Sequence, residues 1–189
     1  RAAMTSRFQD WGIPHHFIEG ETRFGKKKNV AAAHARAFDS FPSAPFMICE
    51  DDLFLTASGL TLPDIPEGTD IVYLAKSQLG CLPDRADYND IYHRRAYAEL
   101  ALAEAIDDHY LRLWTMISAI AIVVLTEKGR ARYRLELKKA FNRNQAIDVR
   151  YSHAMPDLQV ITPRHPVFVE DMALQPPAKH FLPIFGVCV

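Results

Sequence analysis

The chain has 189 residues, 49% hydrophobic, 24% charged and 11% aromatic, enough apolar material for one packed core. That excludes a disordered tail, a collagenous segment and a disulfide-stapled miniprotein. Lys and Arg number 22 against 23 Asp and Glu, a net charge of −1, so no global basic field marks a dedicated nucleic-acid binder. One domain over residues 1–189 is expected. Cys49, Cys81 and Cys188 lack CxxC spacing, which signals neither a disulfide framework nor a thiolate zinc site and fits a reducing, cytoplasmic compartment.

Arg1 to Asp10 is polar and helix-like with no apolar h-region, so it does not read as a signal peptide. Met4, Phe8 and Trp11 form the stripe of an amphipathic helix that Gly12 ends. His15 to Ile18 reads as a short strand and Glu19 to Lys28 as a charged loop, with Asn29 capping an Ala-rich helix over Val30 to Phe38. Phe46-Met47-Ile48-Cys49 is a continuous apolar run of the kind that forms a strand buried on both faces, and Ile71 to Ala75 repeats it. The two are expected to be parallel. Gly80 to Asp90 reads as an exposed loop and Arg95 to Ile106 as a helix. Leu113 to Leu125, interrupted by Thr115 and Ser118, is short of the ~20 residues of a membrane span and reads as core, with a strand over Ala119 to Leu125. Thr126 caps a helix from Glu127 to Phe141. Ile147 to Val149, Leu158 to Thr162 and Pro166 to Val169 are β candidates. The alternation predicts an α/β domain with a mainly parallel sheet flanked by helices, its ligands bound outside the carboxyl ends of the strands.

The informative boundary is Glu50-Asp51-Asp52, where the first apolar strand stops. Carboxylates withdrawn from water without a partner cost several kcal/mol each, so a cation is expected beside them unless the segment is simply a solvated turn. Strand alternation lets Glu50 and Asp52 converge while Asp51 points away. Two hard oxygen donors at that spacing suit Mg²⁺ or Mn²⁺.

The runs Ala33-His34-Ala35-Arg36-Ala37-Phe38 and Phe46 to Asp52 resemble the helix and acidic strand end of glycosyltransferase family 25. Arg1 to Met4 with Trp11-Gly12-Ile13-Pro14, Asp70 to Leu74, Ser118 to Gly129 with its Lys128-Gly129 pair, and Ala146 to Val149 follow in the same order. The sequence departs from the family at Lys27 to Val30, where a glutamate-glycine-cysteine lead is usual, and at Ala33, usually serine. The family's opening strand has no counterpart before Arg1.

The resemblance implies a Rossmann-like GT-A fold lacking its first strand in this sequence, and inverting sugar transfer from a nucleotide-diphosphate donor to a hydroxyl of a glycan, lipopolysaccharide or protein. It implies Mn²⁺ or Mg²⁺ between the acidic motif and the diphosphate, with Asp52 as first metal ligand and Glu50 supporting it or the ribose. Asp51 assists donor binding, His34 touches the donor, His153 is an additional metal ligand, and Asp148 is the base that deprotonates the acceptor. No nucleic-acid partner is expected; a lipid-linked acceptor would bring the protein to the inner face of a membrane.

The residues alone admit other readings. His34 also reads as a core histidine, His153 and Lys26-Lys27-Lys28 as solvated surface, and Trp114 and Met116 as core more than sugar platform. His15-His16 has no partner spacing for a metal. A receiver domain would need a second Asp ending a later strand, which Asp70, Asp107 and Asp108 do not supply. A metal-dependent phosphoester hydrolase or a noncatalytic binding relative are the remaining classes.

Overall fold

The computed structural model describes residues 2–20, 22–50, 53–55, 62–75, 81–82 and 101–170. Period-two burial organises its centre. Ile71 and Tyr73 enter one apolar cluster while Val72 and Leu74 enter another, so strand β3 (Ile71–Tyr73) is covered on both faces, as its unbroken apolar run requires. In β1 (Phe46–Cys49), Phe46 and Ile48 face the first cluster, Met47 and Cys49 the second.

Among the described residues the main sheet has seven strands in the order β1-β7-β3-β8-β6-β5-β4. Its further members are β4 (Cys81–Leu82), β5 (Ala101–Ala105), β6 (Tyr110–Thr115), β7 (Ala121–Val124) and β8 (Val160–Pro163). Helices α2 (Lys26–Ser40), α3 (Glu127–Arg143) and α4 (Ile147–Ser152) cover the first face, and α1 (Ala2–Asp10) supplies Phe8 to the second. A two-stranded antiparallel ribbon of β2 (Leu53–Leu55) and β9 (Phe168–Glu170) also packs on the second face, through Leu53 and Phe168. Among the described residues no helix is long and apolar enough to cross a membrane.

The α/β class is as expected, but the sheet is mixed and mostly antiparallel. Among the described strands of this sheet only β3 with β8 and β4 with β5 pair parallel, whereas β1–β7, β3–β7, β5–β6 and β6–β8 are antiparallel. The strands β1 and β3 run the same way without touching, because β7 lies between them and bonds to both. Hydrophobic periodicity marks a buried strand but carries no sign of its direction.

Four local expectations are corrected for related reasons. Ala101–Ala105 is strand, not helix, because a turn at Asp107, whose carboxylate accepts from the amides of His109 and Tyr110, folds it onto β6 and tertiary pairing overrides alanine's helix propensity. Ile147 to Val149 is helix, not strand: Ile147, Arg150 and Tyr151 are buried at spacings of three and four. Residues 13–20 carry no strand. Asn29 lies inside α2, not at its cap, and its side chain instead clamps the main chain of Phe24 at 2.8 and 2.7 Å.

The β7–α3 junction is tied to β3 and β8 by Asp70. Its carboxylate accepts from Thr126 Oγ1 at 2.6 Å, Lys128 Nζ at 2.9 Å and the Gln159 amide at 2.9 Å. Thr126 also caps α3 by accepting from Gly129 N at 3.1 Å. A Cβ on Gly129 would meet Ile71 Cδ1 at 2.9 Å and the Asp70 carbonyl oxygen at 3.0 Å, so glycine lets the first turn of α3 lie directly on β3. Gly129→Ala should therefore destabilise the protein by about 1–3 kcal/mol, read as a lower urea midpoint; an unchanged midpoint would show that the junction relaxes freely.

Burial opposes ionisation of Asp70, but the bonds from Thr126, Gln159 and Lys128 outweigh it and hold its pKa below the ordinary 3.8. The contribution is thus complete above pH ~4 and lost as pH falls through the folded value. Asp70→Ala should cost about 2–4 kcal/mol at neutral pH, and its difference from the parent protein should shrink as acid titrations pass below pH ~4.

Candidate functional site

The strand alternation that turns Phe46 and Ile48 toward the helices continues to Glu50, whose amide donates to the Ile120 carbonyl at 2.8 Å. Across from it lies a buried aromatic stack. Tyr73 of β3 and Tyr133 of α3 share a hydroxyl hydrogen bond of 2.9 Å, and the Tyr133 ring stacks on Tyr151 of α4 at 4.3 Å and 11°. The Tyr151 hydroxyl lies 3.4 Å from His34 Nδ1. All three tyrosines are 0% exposed.

Burial raises the pKa of each tyrosine; Glu50 adds to the shift of Tyr151 and Asp148 to that of Tyr73, whereas the Tyr73 bond, Arg132 and Arg112 oppose it at Tyr133. Glu50 directly follows β1, and Asp148 lies in the first turn of α4, the helix that bears Tyr151. Asp148 is half-buried, and its Oδ1 accepts from the Val149 amide at 2.7 Å.

His34 closes the cluster from α2, 8% exposed, with burial lowering its pKa from 6.5 to about 4. It is neutral at pH 7. At the end of β1 burial pushes the Cys49 thiol up to about 12, so it is not a thiolate. Asp51 and Asp52 lie outside the described residues.

His153 caps the far end of α4. Burial lowers its pKa and Arg150 lowers it further, against an upward pull from Glu136. Its surroundings are the ionic network of α3: Glu136, 0% exposed, accepts from Arg132, from Lys139 at 2.7 Å and from Arg150. Burial opposes the charge on Glu136, but these bonds outweigh it and lower its pKa. His153 thus stands half-buried at the end of α4, beside this ionic network. Among the described residues no group of three or more His, Cys, Asp or Glu is gathered for a metal.

Met116 is a fully buried core residue, whereas Trp114 is half-buried under the Arg112 guanidinium at 4.7 Å. An open cleft of about 450 Å³, lined by His16, Phe17, Glu19, Arg36 and Asp39, lies on the opposite side of α2 from His34. It carries none of the acidic motif. The tyrosines were not read from the sequence; the one available signal was Tyr151 standing a helical turn beyond Asp148.

Comparison with known protein families, curated proteins and solved structures found no match.

Because the unfolded chain binds a proton on His34 below pH ~6.5 and the folded one only near pH 4, stability should fall by up to roughly 3 kcal/mol as pH drops through that window. His34→Gln should flatten this dependence in urea titrations run between pH 7 and 4. An unchanged slope would show that His34 protonates in place.

Proposed function

We propose that this chain is a nucleotide-sugar-dependent glycosyltransferase of the family 25 kind, with a GT-A-like architecture. Two carboxylates carry the reading: Glu50, directly after β1, and Asp148, in the first turn of α4, whose Tyr151 stacks on Tyr133 at 4.3 Å and lies 3.4 Å from His34. These are the donor-side acid and the acceptor-side base that the family resemblance requires together. His34 from α2 joins them through Tyr151. The mostly antiparallel sheet supports only the α/β class, so the GT-A assignment rests on the sequence resemblance and on these two carboxylates.

The chemistry follows from the residue types. Breaking the sugar–diphosphate bond leaves negative charge on the departing diphosphate, and a divalent ion, Mn²⁺ or Mg²⁺, supplies the neutralising charge when bound. Glu50 with Asp51 and Asp52 offers the hard oxygen donors such an ion takes. The described donors alone do not form a metal group, so the fit depends on Asp52, with Asp51 beside it at the donor. Asp148 accepts the proton of the acceptor hydroxyl as its oxygen attacks the anomeric carbon on the face opposite the leaving group, giving inversion. The tyrosines, wholly buried, cannot stack on sugar; they form a dry floor against which His34 rests, 3.4 Å from the Tyr151 hydroxyl. A glycan or lipid-linked hydroxyl is the acceptor, and the cytoplasmic side of a membrane is the setting.

The test is calorimetric titration of nucleoside diphosphates with and without Mn²⁺, followed by a mass-spectrometric screen of activated sugars. Asp52→Asn should abolish metal-dependent binding. Asp148→Asn should keep donor affinity and lower transfer by about 10²–10⁴-fold. Absence of metal-dependent affinity for every nucleotide would overturn the enzymatic reading and leave a noncatalytic module.

A further inference from the structure

We infer that the outer surface of the α2–α3 pair docks on an anionic lipid bilayer. The inference stands apart from the enzymatic reading, since it uses neither the acidic motif nor the tyrosine cluster.

Charge is partitioned unevenly over this chain. The helices α2 and α3 hold eleven of the 22 Lys and Arg and three of the 23 Asp and Glu, a net +8 in a protein whose total is −1. The three acids are already committed. Asp39 pairs with Arg134 at 2.6 Å, Glu127 with Arg130 at 3.2 Å, and Glu136 is buried beneath Arg132, Lys139 and Arg150. None of them is paired with Lys26, Lys27, Lys28 or Lys138, of which Lys26, Lys27 and Lys138 are exposed and Lys28 is half-buried over the Phe141 ring.

The position of the lysine triplet carries the argument further. It occupies the first turn of α2, where the helix dipole favours anions, with no acidic residue in that turn and no side-chain cap on Gly25. Lys28 rests on the Phe141 ring, but Lys26 and Lys27 work against helix stability there, so folding does not account for them. Placed together at the positive end of a helix, they raise the local potential that an anionic surface would meet.

Hydrocarbon is interleaved with the charge. Phe24 is 41% exposed although its main chain is clamped by both side-chain atoms of Asn29, and its ring meets Phe141 edge-on at 5.1 Å. Leu135 is 47% exposed one turn before Lys138. Lysines flanking exposed Phe and Leu match the zone where anionic headgroups give way to acyl chains, the lysine stems lying along apolar surface while their ammonium groups reach phosphate. A nucleic-acid duplex would answer the charge but would leave Phe24 and Leu135 in water.

Cosedimentation with vesicles tests this. The chain should bind mixed phosphatidylcholine–phosphatidylserine vesicles, bind pure phosphatidylcholine far more weakly, and be released at high salt. Replacing Lys26, Lys27 and Lys28 together by Gln should weaken binding by about 100-fold. The pair Leu135→Asn with Lys138→Glu, on the exposed face of α3, should weaken it by about 10-fold and keeps the test open should the α2 variant fail to fold. Equal binding to both vesicle types, no binding to either, folded variants that bind like the parent, or tighter binding to duplex DNA than to the anionic vesicles would each overturn the inference.

Discussion

Asp70 is the point at which three segments of this protein meet. A carboxylate with a side chain only 5% exposed must spend its hydrogen-bonding capacity on the protein. It spends it on the cap of α3, on the lysine in the first turn of that helix, and on the amide that leads into β8. The main chain repeats the tie, because the Asp70 amide donates to the Gln159 carbonyl and its own carbonyl accepts from Leu125. The start of β3, the end of β7 and the start of β8 are thereby held in one place, and Gly129 allows α3 to settle on them.

What this knot positions is the helix that bears Tyr133, and through Tyr133 the rest of the candidate site. Tyr133 bonds to Tyr73 beneath it and stacks on Tyr151 beside it, so α3, β3 and α4 are locked together by side chains with no exposure to water. Glu50, Asp148 and neutral His34 border this dry cluster. Fixed carboxylates beside a low-dielectric floor interact more strongly with an incoming cation or proton than they would in bulk water. The same helix turns its opposite side outward as a basic surface, so α3 serves two electrostatic environments at once, with Glu136 neutralised beneath it by Arg132, Lys139 and Arg150.

Much of the candidate site was legible one residue at a time. The break from Ile48-Cys49 into Glu50 marks a buried strand ending in acid, whatever the tertiary arrangement, and His34 on an Ala-rich helix is visible as a helical position. Thr126 was legible as a cap because the rule is local: a hydroxyl three residues before the amide it accepts from. The tyrosine cluster was not legible, since residues 73, 133 and 151 share no spacing or motif and become neighbours only when α3 lies across β3. The surroundings of His153 were hidden for the complementary reason. Its nearness to Asp148 in the chain carried no information about which side of α4 it would face, and it falls among the cations of α3.

By itself the sequence determined which stretches are buried and where they stop: the apolar runs of β1, β3 and β7, the glycine turn after α1, the capped start of α3 and the acid run after Cys49. Those features depend on a few adjacent residues, so local chemistry decides them. Only the tertiary structure decided strand direction, the insertion of β7 between β1 and β3, the strand state of Ala101–Ala105 and the helical state of Ile147–Ser152. Each of these is settled by hydrogen bonding and burial against distant segments, and an apolar residue satisfies such a contact equally well whichever way its strand runs.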